Sequence, residues 1–132
     1  MSGQTNLSLL LRDMTPELDA KSYAYVVAEA GINLCAQSCF ATIQEVEGLT
    51  LVGPADALRA AGYKVSSEWA HITLQIHSSL EAIGLTAAFA TALGQAGISA
   101  NVIAGYHHDH IFVQWDKRGA AMSALTALSR KS

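Results

Sequence analysis

Two short stretches hold most of the side chains able to do chemistry. The first is Tyr106-His107-His108-Asp109-His110, three imidazoles beside a carboxylate. Neutral imidazole is a common metal ligand, so the composition suggests a metal. Alternation along a strand divides the group, however. His108 and His110 fall on one face, His107 and Asp109 on the other. Two ligands per face fall short of a usual site, and more would have to come from His71, His77 or another chain. Asp109 equally suits a hairpin turn, and His71 reads as structural. The second stretch is Ser78-Ser79-Leu80-Glu81, with Gly84 close behind. A free amino acid needs unpaired N–H groups for its carboxylate, and a helix N-terminus offers them. Its ammonium needs an oxygen, from Glu81 or Asp109. The same Ser78-x-x-Glu81 spacing is a capping box, which satisfies those N–H groups internally. Both readings stay open. Glycine one turn into a helix costs about 1 kcal/mol against alanine, so Gly84 marks a close approach, either of a ligand or of another helix. Asn101 is a poor strand former in an apolar run, which points to a polar contact with a ligand or a partner. No Gly-x-Ser-x-Gly, phosphate loop or H-E-x-x-H pattern occurs, and the chain does not read as an enzyme.

These residues need elements to hold them. Trp69–His77 alternates and reads as a strand. A helix is expected from Leu80 to about Ala96, with Leu85, Ala88, Phe89, Ala92 and Ala96 as its apolar stripe and Gly97 as its stop. Ser99–Ala104 and His110–Trp115 read as strands joined by a hairpin at Gly105–Asp109. Gly119–Ser129 reads as a closing helix. Upstream, Leu7–Arg12 (LSLLLR) reads as a short buried strand. Thr15-Pro16-Glu17 has the look of a helix start. Tyr23–Val27 is aromatic and β-branched, hence a strand. Ala28–Ser38 is open between a loop and a helical turn. Cys39–Glu45 and Leu49–Val52 form a hairpin. Gly53-Pro54 opens a helix over Ala55–Ala61, stopped by Gly62.

Composition narrows the classes of function. The length of 132 residues fits one compact unit or two small ones, with no need of a metal or disulfide for a core. Only 14% of residues are charged, against about a quarter in a soluble domain. Such a charge-poor surface suits coverage by a second subunit. The eight Lys and Arg are scattered and net charge is −3, which argues against nucleic acid as the partner. No apolar run reaches membrane-spanning length. The N-terminus lacks the basic segment and cleavage site of a signal peptide, so a cytoplasmic location is expected. Cys35 and Cys39 are spaced neither as a redox pair nor as half a zinc knuckle, and they read as small buried or half-buried hydrophobes.

The halves echo one another. Thr15-Pro16-Glu17-Leu18 precedes Ser79-Leu80-Glu81-Ala82 by 64 positions, and Ala30-Gly31-Ile32-Asn33 precedes Ala96-Gly97-Ile98-Ser99 by 66. This reads as a divergent duplication of one small α+β unit. Residues 77–113, HSSLEAIGLTAAFATALGQAGISANVIAGYHHDHIFV, resemble the C-terminal ACT-like domain of short bacterial proteins built as two ACT-like halves. Met14-Thr15-Pro16-Glu17-Leu18 and Glu47–Val52 resemble that family's first half. Its wider kin are the regulatory domains of aspartate kinases and the CASTOR-type arginine sensors. The resemblance implies an α+β fold of two ferredoxin-like ACT-type units, antiparallel sheets with helices on one face. Residues 1–65 would form a divergent N-terminal unit and residues 66–132 a C-terminal one. It further implies side-by-side or face-to-face pairing into homodimers or higher oligomers, and an amino acid bound near the first β-α turn and the second strand. Here those positions are His77–Gly84 and Asn101–Gly105. Joined to the residue chemistry above, this selects Ser79, Leu80, Glu81, Gly84, Asn101 and Asp109 as the ligand-binding set, with no cofactor. The Asp-x-x-Pro-Gly turn of many ACT domains is absent, and Ser78-Ser79-Leu80-Glu81 stands in its place. The leading expectation is a stand-alone ACT-type regulatory protein that binds a small molecule. The alternatives are an interaction module without a ligand, and a small metal-dependent protein using His107, His108 and His110.

Overall fold

The computed structural model describes residues 6–34, 36–75 and 84–131. Within them the chain forms α1 (Leu7–Asp13), β1 (Thr15–Val27), β2 (Ala41–Glu45), β3 (Gly48–Pro54), α2 (Ala55–Ala61), β4 (Trp69–Gln75), α3 (Leu85–Gln95), β5 (Asn101–Ala104), β6 (Asp109–Gln114) and α4 (Arg118–Lys131). The fold is α+β. Two compact units result, one of residues 1–19 with 70–132, the other of residues 20–69.

In the smaller unit, β3 lies between β2 and β1, antiparallel to both. The expected hairpin is present, with Ala41 opposite Val52 and Glu45 opposite Gly48. Alternation sends Ala24 and Leu51 to one face, where they meet Ala55 and Leu58 of α2 and the half-polar Tyr63. The Tyr63 hydroxyl accepts from the Glu29 N–H at 3.1 Å, which ties down the irregular segment after β1. Gly62 ends α2 with φ 109°, and the N–H groups of Gly62 and Tyr63 return to the carbonyls of Arg59 and Leu58. Such a C-terminal turn needs a left-handed residue. Among the described residues of the stretch left open by sequence, the one regular piece is a 3-10 turn at Ala36–Ser38.

In the larger unit, β4, β6 and β5 lie in that order. One face carries Ala70, Ile72, Leu74, Ile111 and Val113. These pack with Leu10 and Leu11 of α1, Leu85, Phe89 and Leu93 of α3, and Ala121 and Leu125 of α4. Helices therefore cover one face of the sheet, and that shared core holds them there.

Three expectations need correction. Leu7–Arg12 is helix α1, not a strand. Leu7, Leu10, Leu11 and Met14 repeat with helical spacing, and the Asn6 side chain accepts from the Leu9 N–H at 3.2 Å, an N-cap. Thr15-Pro16-Glu17 begins β1 rather than a helix. The residue before a proline prefers extended backbone, and proline is accepted near a strand's start. Helix α3 begins at Leu85, not Leu80. Gly84 is its N-cap with φ 89°, a left-handed conformation that cannot lie inside a right-handed helix. The buried stripe of α3 is Leu85, Phe89 and Leu93, whereas Ala96 is exposed.

Gly97 ends α3 as expected. Its φ is 75°, and the Ile98 N–H reaches the Leu93 carbonyl at 3.0 Å. A Cβ there would meet nothing within 4 Å, so Gly97→Ala isolates backbone strain. The expected cost is about 1 kcal/mol, read as a lower midpoint in chemical denaturation with an unchanged slope. An unchanged midpoint would show that the turn does not hold α3.

Candidate functional site

The ligand-binding residues expected from sequence divide into two groups. Ser79, Leu80 and Glu81 lie outside the described residues, as do His77 and the Ser78–Glu81 capping box. Gly84, Asn101 and Asp109 are placed.

Gly84 sits half-buried at the start of α3. A Cβ on it would stand 3.2 Å from Leu7 Cδ2 of α1. Its bare backbone is thus accounted for twice, by a positive φ and by a neighbouring helix.

Asp109 opens β6 opposite Ala104. It shares a face with Ile111 and Val113, so it stands at the end of the helix-covered side. Partial burial pushes its carboxyl above the ordinary carboxylate range, and His110 and His108 oppose that rise. Thr73 contacts His110, and His71 contacts both His110 and Phe112. β4 therefore runs antiparallel to β6, and its C-terminal end lies at the Asp109 end of the sheet. Gly84 follows that end of β4 after the undescribed residues 76–83.

Asn101 is elsewhere. It pairs with Phe112, three residues of strand from the Ala104–Asp109 pair, which is about 10 Å. Its pairing with Phe112 puts it on the face away from the helices. Asn101 and Asp109 are not brought together within this unit.

The His-rich tip also resolves into two parts. Gly105–His108 is the turn, closed by the Gly105 N–H to the His108 carbonyl at 2.9 Å. His107 and His108 therefore belong to the turn and have no strand faces to alternate between. Asp109 and His110 belong to β6. No group of three or more His, Cys, Asp or Glu among the described residues is placed to hold a metal ion.

What sequence reasoning passed over is the far side of His110. Its Nδ1 lies 3.0 Å from Nε2 of His71 on β4. Thr73 Oγ1 stands 3.3 Å from the His71 nitrogen and 3.4 Å from that of His110. Phe112 stacks on the His71 ring at 4.8 Å and 14°. Asp19 Oδ2 of β1 approaches His71 Nδ1 to 3.8 Å. His71 is only 7% exposed. Burial first, and His110 second, push its pKa down to about 4, against the pull of Asp19. His110 is lowered too, chiefly by burial and then by His108, with Asp109 opposing. The signal for this cluster was the alternation itself. His71 and Thr73 share one face of β4, as His110 and Phe112 share one face of β6, but only the register of the two strands joins them.

Two ACT-domain family models match the chain, one over residues 2–69 and one over residues 66–127. No curated protein matches it. Among solved structures, a Vibrio cholerae protein of unknown function, described as a possible transport protein, is 47% identical. The match covers 93% of this chain and 95% of that one, with a TM-score of 0.79. The fold is also similar to the ligand-free regulatory subunit of aspartate kinase from Thermus thermophilus. That match has 13% identity and TM-score 0.59, covering 86% of this chain and 95% of that one. The aspartate kinase of Clostridium acetobutylicum is similar at 10% identity and TM-score 0.64, over 90% of this chain and 34% of the kinase.

Proposed function

The chain belongs to the ACT-domain family, and from that premise we propose that it is a regulatory protein that binds a small molecule, an amino acid, and acts through a homo-oligomer. The observation that carries the reading is the pair of ACT-domain matches, which together run from residue 2 to residue 127. The same pair supports a division into an N-terminal unit, 1–65, and a C-terminal unit, 66–132. The likeness to an aspartate kinase regulatory subunit supports a regulatory rather than a catalytic role.

The proposed binding residues are Ser79, Leu80, Glu81, Gly84, Asn101 and Asp109. Asp109 and the C-terminal end of β4 share one end of the sheet, and this supports a ligand held there. Asn101, on the other face, would serve that ligand only from a second copy, which is one reason to include an oligomer in the reading. The low share of charged residues also fits a covered surface. No helix among the described residues is long and apolar enough to cross a membrane, and a cytoplasmic location is part of the proposal.

One observation favours a second reading, an interaction module without a ligand. The positive φ of Gly84 and the closeness of Leu7 explain its bare backbone with no ligand. Calorimetric titration of the full chain against the twenty amino acids separates the two. One binder is expected with affinity between micromolar and millimolar, about −8 to −4 kcal/mol. Silence from folded protein across the whole set rejects ligand binding. Given a binder, Glu81→Ala is expected to abolish its heat without moving the unfolding midpoint. A variant that only loses stability would make Glu81 a structural residue.

A further inference from the structure

The row formed by Asp19, His71 and His110 crosses three strands of the larger unit on the face away from α1, α3 and α4. Its central member has a different partner at each ring nitrogen. Asp19 faces His71 Nδ1 at 3.8 Å, and His110 Nδ1 faces His71 Nε2 at 3.0 Å. A hydrogen bond between two imidazoles needs a proton on one nitrogen and a lone pair on the other. The pair can therefore be neutral or carry a single charge and keep its bond. An imidazolium has N–H groups at both nitrogens, so two of them would turn donor against donor at 3.0 Å. Phe112, stacked on His71 at 4.8 Å, and the burial of His71 leave little water to solvate that second charge.

We propose that His71 and His110, with Asp19 and Thr73 beside them, form an acid-sensitive latch between β4 and β6: uncharged, the rings join the two strands, and full protonation breaks the join and weakens this unit.

The groups around the pair set its sense. From β1 comes Asp19, whose neighbours on the same strand face are Glu17 and Lys21. From β4 comes the uncharged Thr73. The turn before β6 brings His108, and β6 brings Asp109, next to His110. From β5, Asn101 and Ile103 stand opposite Phe112 and His110, and both are uncharged. One carboxylate thus favours protonation of His71, while burial and the second imidazole oppose it and prevail.

The direction of the pH effect follows. The pKa of His71 falls from 6.5 to about 4 in the folded chain. A group depressed by folding adds stability that is complete above its unfolded pKa and is lost as pH falls toward the folded one. The window is therefore from about 6.5 down to about 4. Across it the folded-to-unfolded ratio is expected to drop by roughly two orders of magnitude on account of His71. Asp109, raised by folding, acts in the opposite sense, and its contribution is present at low pH. It is common to wild type and to a His71 variant, so the comparison removes it.

The test is chemical denaturation of the full chain, wild type and His71→Gln, at steps from pH 7.5 to pH 4. The wild type is expected to lose about a hundredfold more of its folded-to-unfolded ratio than the variant over that range. Equal losses overturn the latch. Should His71→Gln fail to fold, proton NMR titration of the wild-type histidine rings decides. A His71 midpoint well below 6.5 supports the proposal, and an ordinary midpoint overturns it. Neither readout needs a bound amino acid, so failure of the ligand reading and failure of the latch are distinguishable.

Discussion

Phe89→Ala is expected to cost about 3–5 kcal/mol of stability, the usual penalty for emptying a buried aromatic site. Phe89 is 0% exposed. It stands between Leu85 and Leu93 on the buried stripe of α3. In the core around it, β4 supplies Ile72 and Leu74, β6 supplies Ile111 and Val113, and α4 supplies Leu125. Four elements thus share the cavity its loss would leave, and each is held by others, so collapse into the gap is limited. The thermal midpoint should fall by roughly 10–20 °C. Calorimetry or circular dichroism of wild type and variant checks this. A loss below about 1 kcal/mol would mean that α3 does not pack on this sheet as described. Val46→Ser at a fully exposed turn position is the matched control, expected to change stability by less than about 0.5 kcal/mol.

Gly105→Ala is the second large effect expected. Its φ is not in the left-handed range, so the cost does not come from backbone preference. It comes from space. A Cβ would lie 2.8 Å from the His108 carbonyl oxygen and 3.2 Å from His110 Nε2. The first is backbone in the same turn, closed by the Gly105 N–H on that same carbonyl. Relief therefore means opening the turn. A loss of about 1–3 kcal/mol follows, as for other overpacked sites. Because the second contact is the His110 ring, the variant should also shift the ring resonances of His110 and His71. A variant with wild-type stability and unshifted rings would show that the turn accommodates a side chain freely.

Gly105 shows how the legible and the illegible lie side by side. That a hairpin falls at Gly105–Asp109 can be read from turn residues between two β-branched runs. That glycine is needed there because of His110 cannot. The helices tell the same story from the other side. Leu7, Leu10, Leu11 and Met14 carry helical spacing in plain view, yet a seven-residue helix is too short for propensity to single it out from a short apolar strand. Asn6 as a cap was the deciding local mark. At Thr15-Pro16-Glu17 the local marks point the wrong way, because proline suits both a helix start and a strand start. The pairing of β1 with its neighbours decides between them, and pairing is not local.

The candidate site was legible in part. Asp109 and Gly84 were picked out by residue type, one as a carboxylate at a turn, the other as a glycine in a helical pattern. That the C-terminal end of β4 lies at the Asp109 end of the sheet depends on β4 running antiparallel to β6. Asn101 was picked out in the same way, and the same ladder sends it to the opposite face.

Sequence by itself determined the elements with a strong period or a strong stop: the β2–β3 hairpin, α2 with Gly62, the stop of α3 at Gly97, and the α+β class. These rest on interactions within a few residues, where periodicity and left-handed glycines act directly. The family resemblance, too, lay in continuous motifs. Only the tertiary structure decided where α3 begins, which compact unit each stretch joins, and how Asp19, His71 and His110 come to form one row. Those three residues are 52 and 39 positions apart. What aligns them is the register of three strands, and register is set by which faces find a common core.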